Sequence, residues 1–261
     1  MWRLWSIIFG VFPFCAQAQI QAEKIIVDKG CVFKIDRDGD IIVADTIIMK
    51  DSSSLKLNTN KAENYIHVKV LIIENNAFIK GVGKSGRDGL DGIDGKTFVG
   101  PCYNGSEGKK GSDGVNGGSG TSLILYVNEV IVKGNLYINL SGGNGGNGGN
   151  GGNGGGGSPG TNHCKGGDGG KGGDGGKGGD GGNAGNLTIV SPKASHINNL
   201  LKKSVHVLLD GGIQGKGGRG GFLGKAGLGP GQRNGADGKA GLYGTAGRTG
   251  KQGTIKVDLN P

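Results

Sequence analysis

The chain lacks most of the features that mark enzymes and membrane proteins. After its first segment it has no apolar run near the ~20 residues that cross a bilayer, only 5% of its residues are aromatic, and 6 of 261 are proline. Its four His residues are scattered, and no nucleophile elbow or CxxC or HxxxH spacing occurs. We therefore expect a non-enzymatic protein with no cofactor, no metal and no transmembrane segment.

The first eighteen residues have the pattern of a secretory signal peptide. Arg3 is followed by an apolar stretch from Leu4 to Phe14, and Ala16-Gln17-Ala18 forms a small-x-small cleavage site before Gln19. Removal of residues 1–18 would also remove Cys15. The prediction is a secreted protein, extracellular or on the cell surface, with the periplasm as an alternative.

Outside its glycine runs the chain is rich in β-branched residues. Blocks such as "DIIVADTIIMK", "YIHVKVLIIENNAFIKG" and "SLILYVNEVIVKGNLYINLS" predict short strands. "SPKASHINNLLKK" interrupts this pattern and is expected to be an extra loop or a short helix. The chain therefore alternates between strand-forming blocks and glycine-rich inserts.

Matching points in these blocks recur at a regular spacing once the inserts are removed. Ile47 to Leu71 is 24 residues, Leu71 to Ile131 becomes 22 without the insert 83–120, and Ile131 to His206 becomes 31 without the insert 142–185. Coils of 22 to 24 residues are typical of a stacked β-solenoid. A β-sandwich with long insertions is the alternative.

Glycine, 62 residues in all, keeps a period of three through each insert. A flexible linker has no reason to keep such a register. Three residues per turn is the repeat of an extended left-handed helix, whose backbone groups must bond to neighbouring chains. A collagen triple helix and a bundle of polyglycine-II helices both meet that need.

Each insert contains a break with a Gly-Pro or Pro-Gly turn signal, at 96–104, 158–165 and 228–234, which predicts three hairpins. The middle insert repeats Gly-Gly-X and the outer two mostly Gly-X-Y, as a central layer with two neighbours would require. The predicted fold class is thus all-β plus polyglycine-II, with short β-solenoid coils carrying a six-helix, three-layer sandwich. The predicted domains are a signal peptide 1–18, N-terminal coils 19–82, hairpin 83–120, coil 121–141, hairpin 142–185, coil 186–211, hairpin 212–253 and C-terminal strand 254–261.

The glycine register, hairpin turns and layering resemble the polyglycine-II bundle of springtail antifreeze proteins and the glycine-rich sandwich of phage tail-fibre adhesins. The resemblance covers the inserts only, and collagen is similar in composition alone. In the adhesins such a bundle is a scaffold whose tip loops bind a receptor, and in the springtail proteins a flat face binds ice. The resemblance therefore implies either of these activities.

Cys102 and Cys164 lie in the breaks of the first and second hairpins. Stacked hairpins would bring the two tips together, which predicts a disulfide. A free thiol, or a metal site that includes His163, is the alternative. Cys31, within an apolar strand, is expected to be a buried small hydrophobic residue.

Charge is concentrated in the third insert, which carries seven basic residues and one acidic residue, while the other two inserts are each neutral. The prediction is a basic outer face, which either keeps the protein soluble or binds a polyanion such as an acidic polysaccharide or lipopolysaccharide. Scarce aromatic residues argue against sequence-specific nucleic-acid recognition. The candidate ligand-binding residues of this face are Lys216, Arg219, Lys225, Lys239, Arg248 and Lys251.

Exposed loops on a rigid scaffold are common recognition sites, so the hairpin tips are the second candidate. The leading hypothesis is a secreted adhesin or scaffold that binds surface glycans or other polyanions. A trimeric collagen-like structural protein and an ice-binding protein are the alternatives. The candidate tip residues are Phe98, Tyr103, Asn162, His163, Gln232 and Arg233.

Overall fold

The computed structural model describes residues 19–35 and 39–259, so the predicted signal peptide and Cys15 lie outside the described residues. Its regular structure is mostly strand. The strands are β1 Gln19–Val27, β2 Val32–Lys34, β3 Ile41–Met49, β4 Ser54–Lys56, β5 Glu63–Ile73, β6 Ala77–Lys80, β7 Ser122–Val132, β8 Leu136–Asn139, β9 Leu187–Ser191, β10 Val205–Leu208 and β11 Ile255–Leu259. One helix, α1, spans Ala194–Lys203, and a 3-10 turn spans Pro230–Gln232.

The strands form where β-branched residues alternate with polar ones. In β5, Ile66 and Val68 are buried, whereas His67 and Lys69, which alternate with them, are exposed. Successive side chains of a strand point to opposite faces, so this alternation gives one apolar face and one solvated face. The segment predicted as a loop or short helix forms α1.

Consecutive strands alternate between two parallel sheets. The odd-numbered strands form a six-stranded sheet in the order β1-β3-β5-β7-β9-β11, and the even-numbered strands form a five-stranded sheet in the order β10-β8-β6-β4-β2. Each strand therefore bonds to the one two places further along the chain. The chain passes from one sheet to the other and back as it advances.

The strand register corrects two of the spacings inferred from the sequence. Ile47 does pair with Leu71, but Leu71 pairs with Val130 rather than with Ile131. Ile131 and His206 are not equivalent positions, because His206 pairs with Tyr137 in the other sheet. A shift of one residue reverses the face on which a side chain lies, and triplets of similar residues hide that shift in a sequence.

The hydrophobic core lies between the two sheets. It includes Ile42, Leu55, Ile66 and Ile79, each at most 2% exposed, and Ile197 of α1 packs against it. Burial of such side chains is the main favourable term in folding. The core therefore supports the glycine-rich inserts that leave it.

A buried polar cluster joins the core to the first insert. The Asn64 side chain is fully buried; its Nδ2 donates to the Asn58 carbonyl at 3.0 Å and to Thr121 Oγ1 at 2.8 Å. Thr121 Oγ1 in turn donates to the Lys61 carbonyl at 2.8 Å. Because buried polar groups need partners, this network positions the chain where the first insert returns to β7.

The predicted fold class, all-β coils of a short β-solenoid with a six-helix polyglycine-II sandwich, is wrong. The described residues instead form two parallel sheets of six and five strands with one ten-residue helix, a parallel-sheet fold of the α/β type. No polyproline-II bundle is evident as a regular element among them, since the inserts carry neither helix nor strand over most of their length. The regular elements come from the β-branched blocks, because these supply the residues that pair and pack.

Candidate functional site

The glycine-rich inserts run as six extended segments, called segments 1 to 6: 83–95, 105–120, 142–157, 166–185, 211–227 and 235–253. Every third N–H of segment 1 donates to a carbonyl of segment 3, and segment 3 donates likewise to segment 5. Segment 2 bonds in the same way to segment 4, and segment 4 to segment 6. Segments 1, 3 and 5 are called column 1, and segments 2, 4 and 6 are called column 2.

The two columns are bonded side by side. Segment 2 donates to segment 1, segment 3 to segment 2, segment 4 to segment 3, segment 5 to segment 4 and segment 6 to segment 5. In segment 3, Gly151 N donates within its column to Arg219 O at 2.7 Å, while Gly152 N donates across to Lys109 O at 2.8 Å. The doubled glycines of the middle insert therefore serve two different neighbours.

Close backbone approach requires glycine at both of these positions. A Cβ on Gly151 would lie 1.9 Å from Gly173 O, and a Cβ on Gly152 would lie 2.1 Å from Ile93 O. No real Cβ makes such contacts, and backbone carbonyls cannot move aside independently. The position between successive glycine pairs is the one that carries Asn, Lys or Asp.

Asn and Asp side chains of the inserts bond the segments within each column together. Asn147 N donates to Asp88 Oδ1 at 2.6 Å, and Lys216 N donates to Asn147 Oδ1 at 2.9 Å, so one rung crosses all three segments of column 1. The same rung repeats three and six residues later. Column 2 has equivalent bonds, in which Asp168, Asp174 and Asp180 accept from Ala236, Leu242 and Arg248. Each side-chain oxygen thus accepts a hydrogen bond from a backbone N–H that the bonds between glycine N–H groups and carbonyls do not use.

These bonds change the acidity of four carboxyl groups in the exposed rows. The Leu242 N–H lowers the pKa of Asp174, with the Lys171 side chain as a lesser cause. The Lys177 N–H does the same to the pKa of Asp113, and the Ala226 N–H to the pKa of Asp237. The Lys165 ammonium is the largest cause of the lowered pKa of Asp168. In all four cases a hydrogen-bond donor stabilises the charged carboxylate, which lowers the pKa.

The six basic residues proposed as a ligand-binding face divide between the two columns. Lys216, Arg219 and Lys225 lie in segment 5, where their carbonyls accept bonds from segment 3. The other three lie in segment 6, where their carbonyls accept bonds from segment 4: Lys239, Arg248 and Lys251. Segment 6 donates to segment 5 along its length, so the two rows belong to neighbouring segments of the third hairpin.

Ion pairing distinguishes these basic residues further. Lys225 Nζ lies 3.1 Å from Asp237 Oδ2, which partly neutralises its charge. Within the described part of the chain the other five make no ion pair. Exposed pairs contribute little to stability, but unpaired exposed cations remain free to attract an anionic ligand.

The hairpin tips are joined covalently. Cys102 and Cys164 form the predicted disulfide, with their Cα atoms 6.1 Å apart. Cys102 N also donates to the Pro159 carbonyl at 2.8 Å. The tips of the first and second hairpins therefore form one unit.

The third tip is attached through Arg233. Its Nη2 donates to the carbonyls of Thr161 and Asn162, at 3.1 and 2.6 Å. Gln232, beside it, has a positive φ of 63° in the turn. The second and third tips are thus in direct contact, which places the predicted tip residues at one end of the stack.

Two aromatic side chains are exposed at this end. Phe98 and Tyr103 are 47% and 56% exposed, and their ring centroids lie 6.5 Å apart. His163 is also exposed, and its backbone N–H donates to Thr161 Oγ1 at 3.2 Å. Arg233, by contrast, uses its guanidinium on neighbouring carbonyls, so it positions the tip.

Cys31 is not the buried residue that the sequence suggested. It is a free, exposed cysteine in the turn that precedes β2. Its backbone carbonyl accepts a bond from Ser54 N at 2.9 Å. The apolar residues around it favoured burial, but the chain turns at Gly30, where φ is 69°, and β2 begins only at Val32.

Sequence reasoning missed a ring column on the outer face of the five-stranded sheet. Phe78, Tyr137 and His206 are register partners, with successive centroids 5.3 and 5.0 Å apart. A groove of about 330 Å³ runs beside them and is also lined by Lys80. Alignment of "AFIK", "LYIN" and "VHVL" by coil could have found the column, but the inserts separate these blocks by 59 and 69 residues.

Neither a metal cluster nor a membrane-spanning helix is found in residues 19–35 and 39–259. No group of three or more His, Cys, Asp and Glu side chains there could hold a metal ion. No helix there has the length and apolar character needed to cross a membrane.

Comparisons with known proteins add little. No family model matches the chain, and no curated protein matches it. Among solved structures, the springtail antifreeze protein of Granisotoma rainieri, described as a nine polyproline type II helical bundle whose crystal waters match the ice lattice, is 23% identical. The match covers 59% of this chain and 94% of that chain with a TM-score of 0.11, too low to carry an argument about fold or function.

Proposed function

We propose that this protein is a secreted, non-enzymatic scaffold or adhesin that binds surface glycans or other polyanions, such as acidic polysaccharide or lipopolysaccharide. The observation that carries the proposal is the tip. Its loops expose Phe98 and Tyr103 while the Cys102–Cys164 disulfide and the bonds of Arg233 hold the three turns together. Rigid presentation of amphipathic side chains lowers the entropic cost of binding.

The basic rows supply the second part of the proposed site. Lys216 and Arg219 on column 1, and Lys239, Arg248 and Lys251 on column 2, are exposed and unpaired in the described structure. Cations of this kind raise the association rate of an anionic ligand and make its binding depend on salt. We assign to these cations the attraction of the polyanion. We assign to the tip the selection among polyanions.

Secretion is part of the proposal. It rests on the signal-peptide pattern of residues 1–18 and on the disulfide, which persists mainly in oxidising compartments. N-terminal sequencing of the exported protein should begin at Gln19. Retention of residues 1–18, or recovery of the protein only inside the cell, would refute it.

Binding of the mature protein to an array of glycans and lipopolysaccharides, at low and high salt, tests the function. We expect salt-sensitive binding that falls at least tenfold in a combined variant. That variant carries Phe98→Ser, Tyr103→Ser, Lys216→Gln, Arg219→Gln, Lys239→Gln, Arg248→Gln and Lys251→Gln. Undiminished binding by this variant, or no binding to any polyanion, would overturn the proposal.

A matched control isolates charge from the site. Lys29→Gln, Lys50→Gln, Lys110→Gln, Lys165→Gln and Lys171→Gln remove five charges, as many as the combined variant, and each of these lysines pairs with an Asp at 2.9 to 3.4 Å. This variant should bind within about twofold of the unmodified protein. An equal loss in the control would show that net charge alone is responsible.

A collagen-like trimer and an ice-binding protein remain the alternatives. Against the first, the every-third glycine N–H groups of the inserts bond to carbonyls of the same chain; a sedimentation mass decides. For the second, the outward row of segment 6 contains Ala240, Ala246 and Thr249, but Tyr243, 75% exposed, stands in its middle. We therefore expect a monomer without thermal hysteresis.

A further inference from the structure

The outer face of the five-stranded sheet carries a row of three lysines. Lys34 of β2 pairs in register with Lys56 of β4, which pairs with Lys80 of β6. Adjacent strands lie about 4.8 Å apart, so three ammonium groups start from neighbouring backbones at that interval. All three side chains are exposed.

These lysines differ from three lysines elsewhere in the strand-forming part of the chain. Lys29, Lys50 and Lys69 are ion-paired with Asp51, Asp28 and Asp45, at 3.2, 2.9 and 2.7 Å. Lys34, Lys56 and Lys80 make no ion pair among residues 19–35 and 39–259. Like charges directly opposite each other in a sheet are destabilising, so an uncompensated row has an energetic cost that an anionic ligand would relieve.

The ring column meets this row at β6: the lysines lie on β2, β4 and β6, and the rings on β6, β8 and β10. Phe78 precedes Lys80 by two positions and therefore shares its face, and Lys80 Nζ lies 4.8 Å from the Phe78 ring centroid. The groove of about 330 Å³ crosses β6, β8 and β10, and Lys80 is the member of the lysine row that lines it.

The stacking of the rings restricts which polyanion fits. Tyr137 has Phe78 on one side and His206 on the other, at interplanar angles of 20° and 23°, so both of its ring faces are covered. A nucleobase needs an open aromatic face on which to stack. The rings, together with Leu208, instead form an apolar surface on β6, β8 and β10 that meets the row of point charges at β6.

We propose that this outer face binds a linear acidic polysaccharide that runs across the strands, from the groove on β10, β8 and β6 to the lysines of β4 and β2. Its carboxylate or sulfate groups contact Lys34, Lys56 and Lys80, and the apolar C–H face of a sugar packs on the edges of Phe78, Tyr137 and His206. Lysine suits such a site because its ammonium is a compact charge on a flexible stem. The site is separate from the tips and from the basic rows of the inserts, so it stands or falls independently of the proposed function.

The test compares two variants of the mature protein with the same change in net charge, both made in the background that carries the tip and insert substitutions, so that the groove site alone is measured. The site variant is Lys34→Gln/Lys56→Gln/Lys80→Gln, and the control is Lys29→Gln/Lys50→Gln/Lys69→Gln, which removes three lysines that are ion-paired. The probes are heparin oligosaccharides and polygalacturonate, with single-stranded DNA of equal charge. We expect the site variant to lose at least tenfold in affinity for one or both polysaccharides, and the control to change by less than about threefold.

Further measurements separate the site from misfolding and from the proposed function. Removal of the charged row should leave the thermal midpoint unchanged or raise it, because repulsion is relieved. The binding that remains in the variant with tip and insert substitutions is expected to be that of the groove, and Tyr137→Ala in that background should weaken it at constant net charge. Equal affinities of the site and control variants, no binding to either polysaccharide, or tighter binding of DNA than of both would overturn the proposal.

Discussion

Asn150 and Arg219, 69 residues apart in the chain, are joined by a bond from the Arg219 backbone N–H to Asn150 Oδ1 at 3.0 Å. Asn150 N donates in turn to Asp91 Oδ1 at 2.6 Å. A side chain therefore acts here as a spacer between two backbones, and it repeats every three residues along the column. The position demands an oxygen acceptor at fixed reach, which Asn and Asp both supply.

Replacement of that acceptor should loosen one rung. Asn150→Ala is expected to cost about 0.5 to 1.5 kcal/mol, the net value of one hydrogen bond. Amide exchange should quicken at Arg219 but not at Gly218, whose N–H donates to Gly176 O at 2.9 Å. Asn150→Asp, which retains the acceptor, should preserve the protection of Arg219 at moderate salt. Unchanged exchange at Arg219 in the Ala variant would contradict the assignment.

Two adjacent glycines in segment 3 should differ in how much an added methyl group changes the free energy of unfolding. A Cβ on Gly155 would lie 2.1 Å from Lys96 O, whereas the nearest atom to a Cβ on Gly156 is Thr97 Oγ1 at 3.4 Å. Gly155→Ala should destabilise by about 3 kcal/mol or more through overpacking. Gly156→Ala should change stability by less than about 1 kcal/mol. Urea unfolding measures both, and equal losses would refute the close-packed arrangement of the segments.

The disulfide should contribute to stability through the unfolded state. It links residues 62 apart, for which loop entropy gives roughly 4 kcal/mol. Cys102→Ser/Cys164→Ser should lower the free energy of unfolding by that order. Cys31→Ser, at the exposed free cysteine, should change it by less than about 0.5 kcal/mol. A double variant as stable as the Cys31 variant would show that the tips are held by other contacts.

Stability should fall in acid because of the bonded carboxylates. The pKa values of Asp113, Asp168 and Asp174 lie below the ordinary value, so their contribution is present above about pH 4 and is lost as pH falls through the lowered values. Replacement of all three by Asn keeps the acceptors but removes the titration. The loss of stability between pH 6 and pH 2 should then be smaller than in the unmodified protein. Asp210 serves as the control, because its side chain makes no bond in the described structure. Asp210→Asn should leave the loss of stability unchanged.

The strands were accessible to sequence reasoning where they depend on local pattern. Alternation such as Ile66 and Val68 against His67 and Lys69 specifies a strand with one buried face. The fold class was not accessible, because the three-residue glycine period suggested polyglycine-II helices. The register also escaped, since Val130 and Ile131 are chemically alike and only pairing decides between them.

The candidate sites were predicted in part. The disulfide between Cys102 and Cys164 followed from the placement of both residues in turns and is present. The single basic face stays a prediction: Lys216 lies in segment 5 and Lys239 in segment 6, two neighbouring segments that bond to each other.

By itself, the sequence determined where strands form, where the inserts turn and which cysteines meet. These properties depend on side-chain periodicity, turn chemistry and the placement of two thiols, all of which are local. Only the tertiary structure decided that Lys34, Lys56 and Lys80 stand in one row and that Cys31 is exposed. Such neighbours are set by hydrogen bonds between backbone segments that are far apart in the chain. The residue pattern of one segment does not specify the register in which another segment bonds to it.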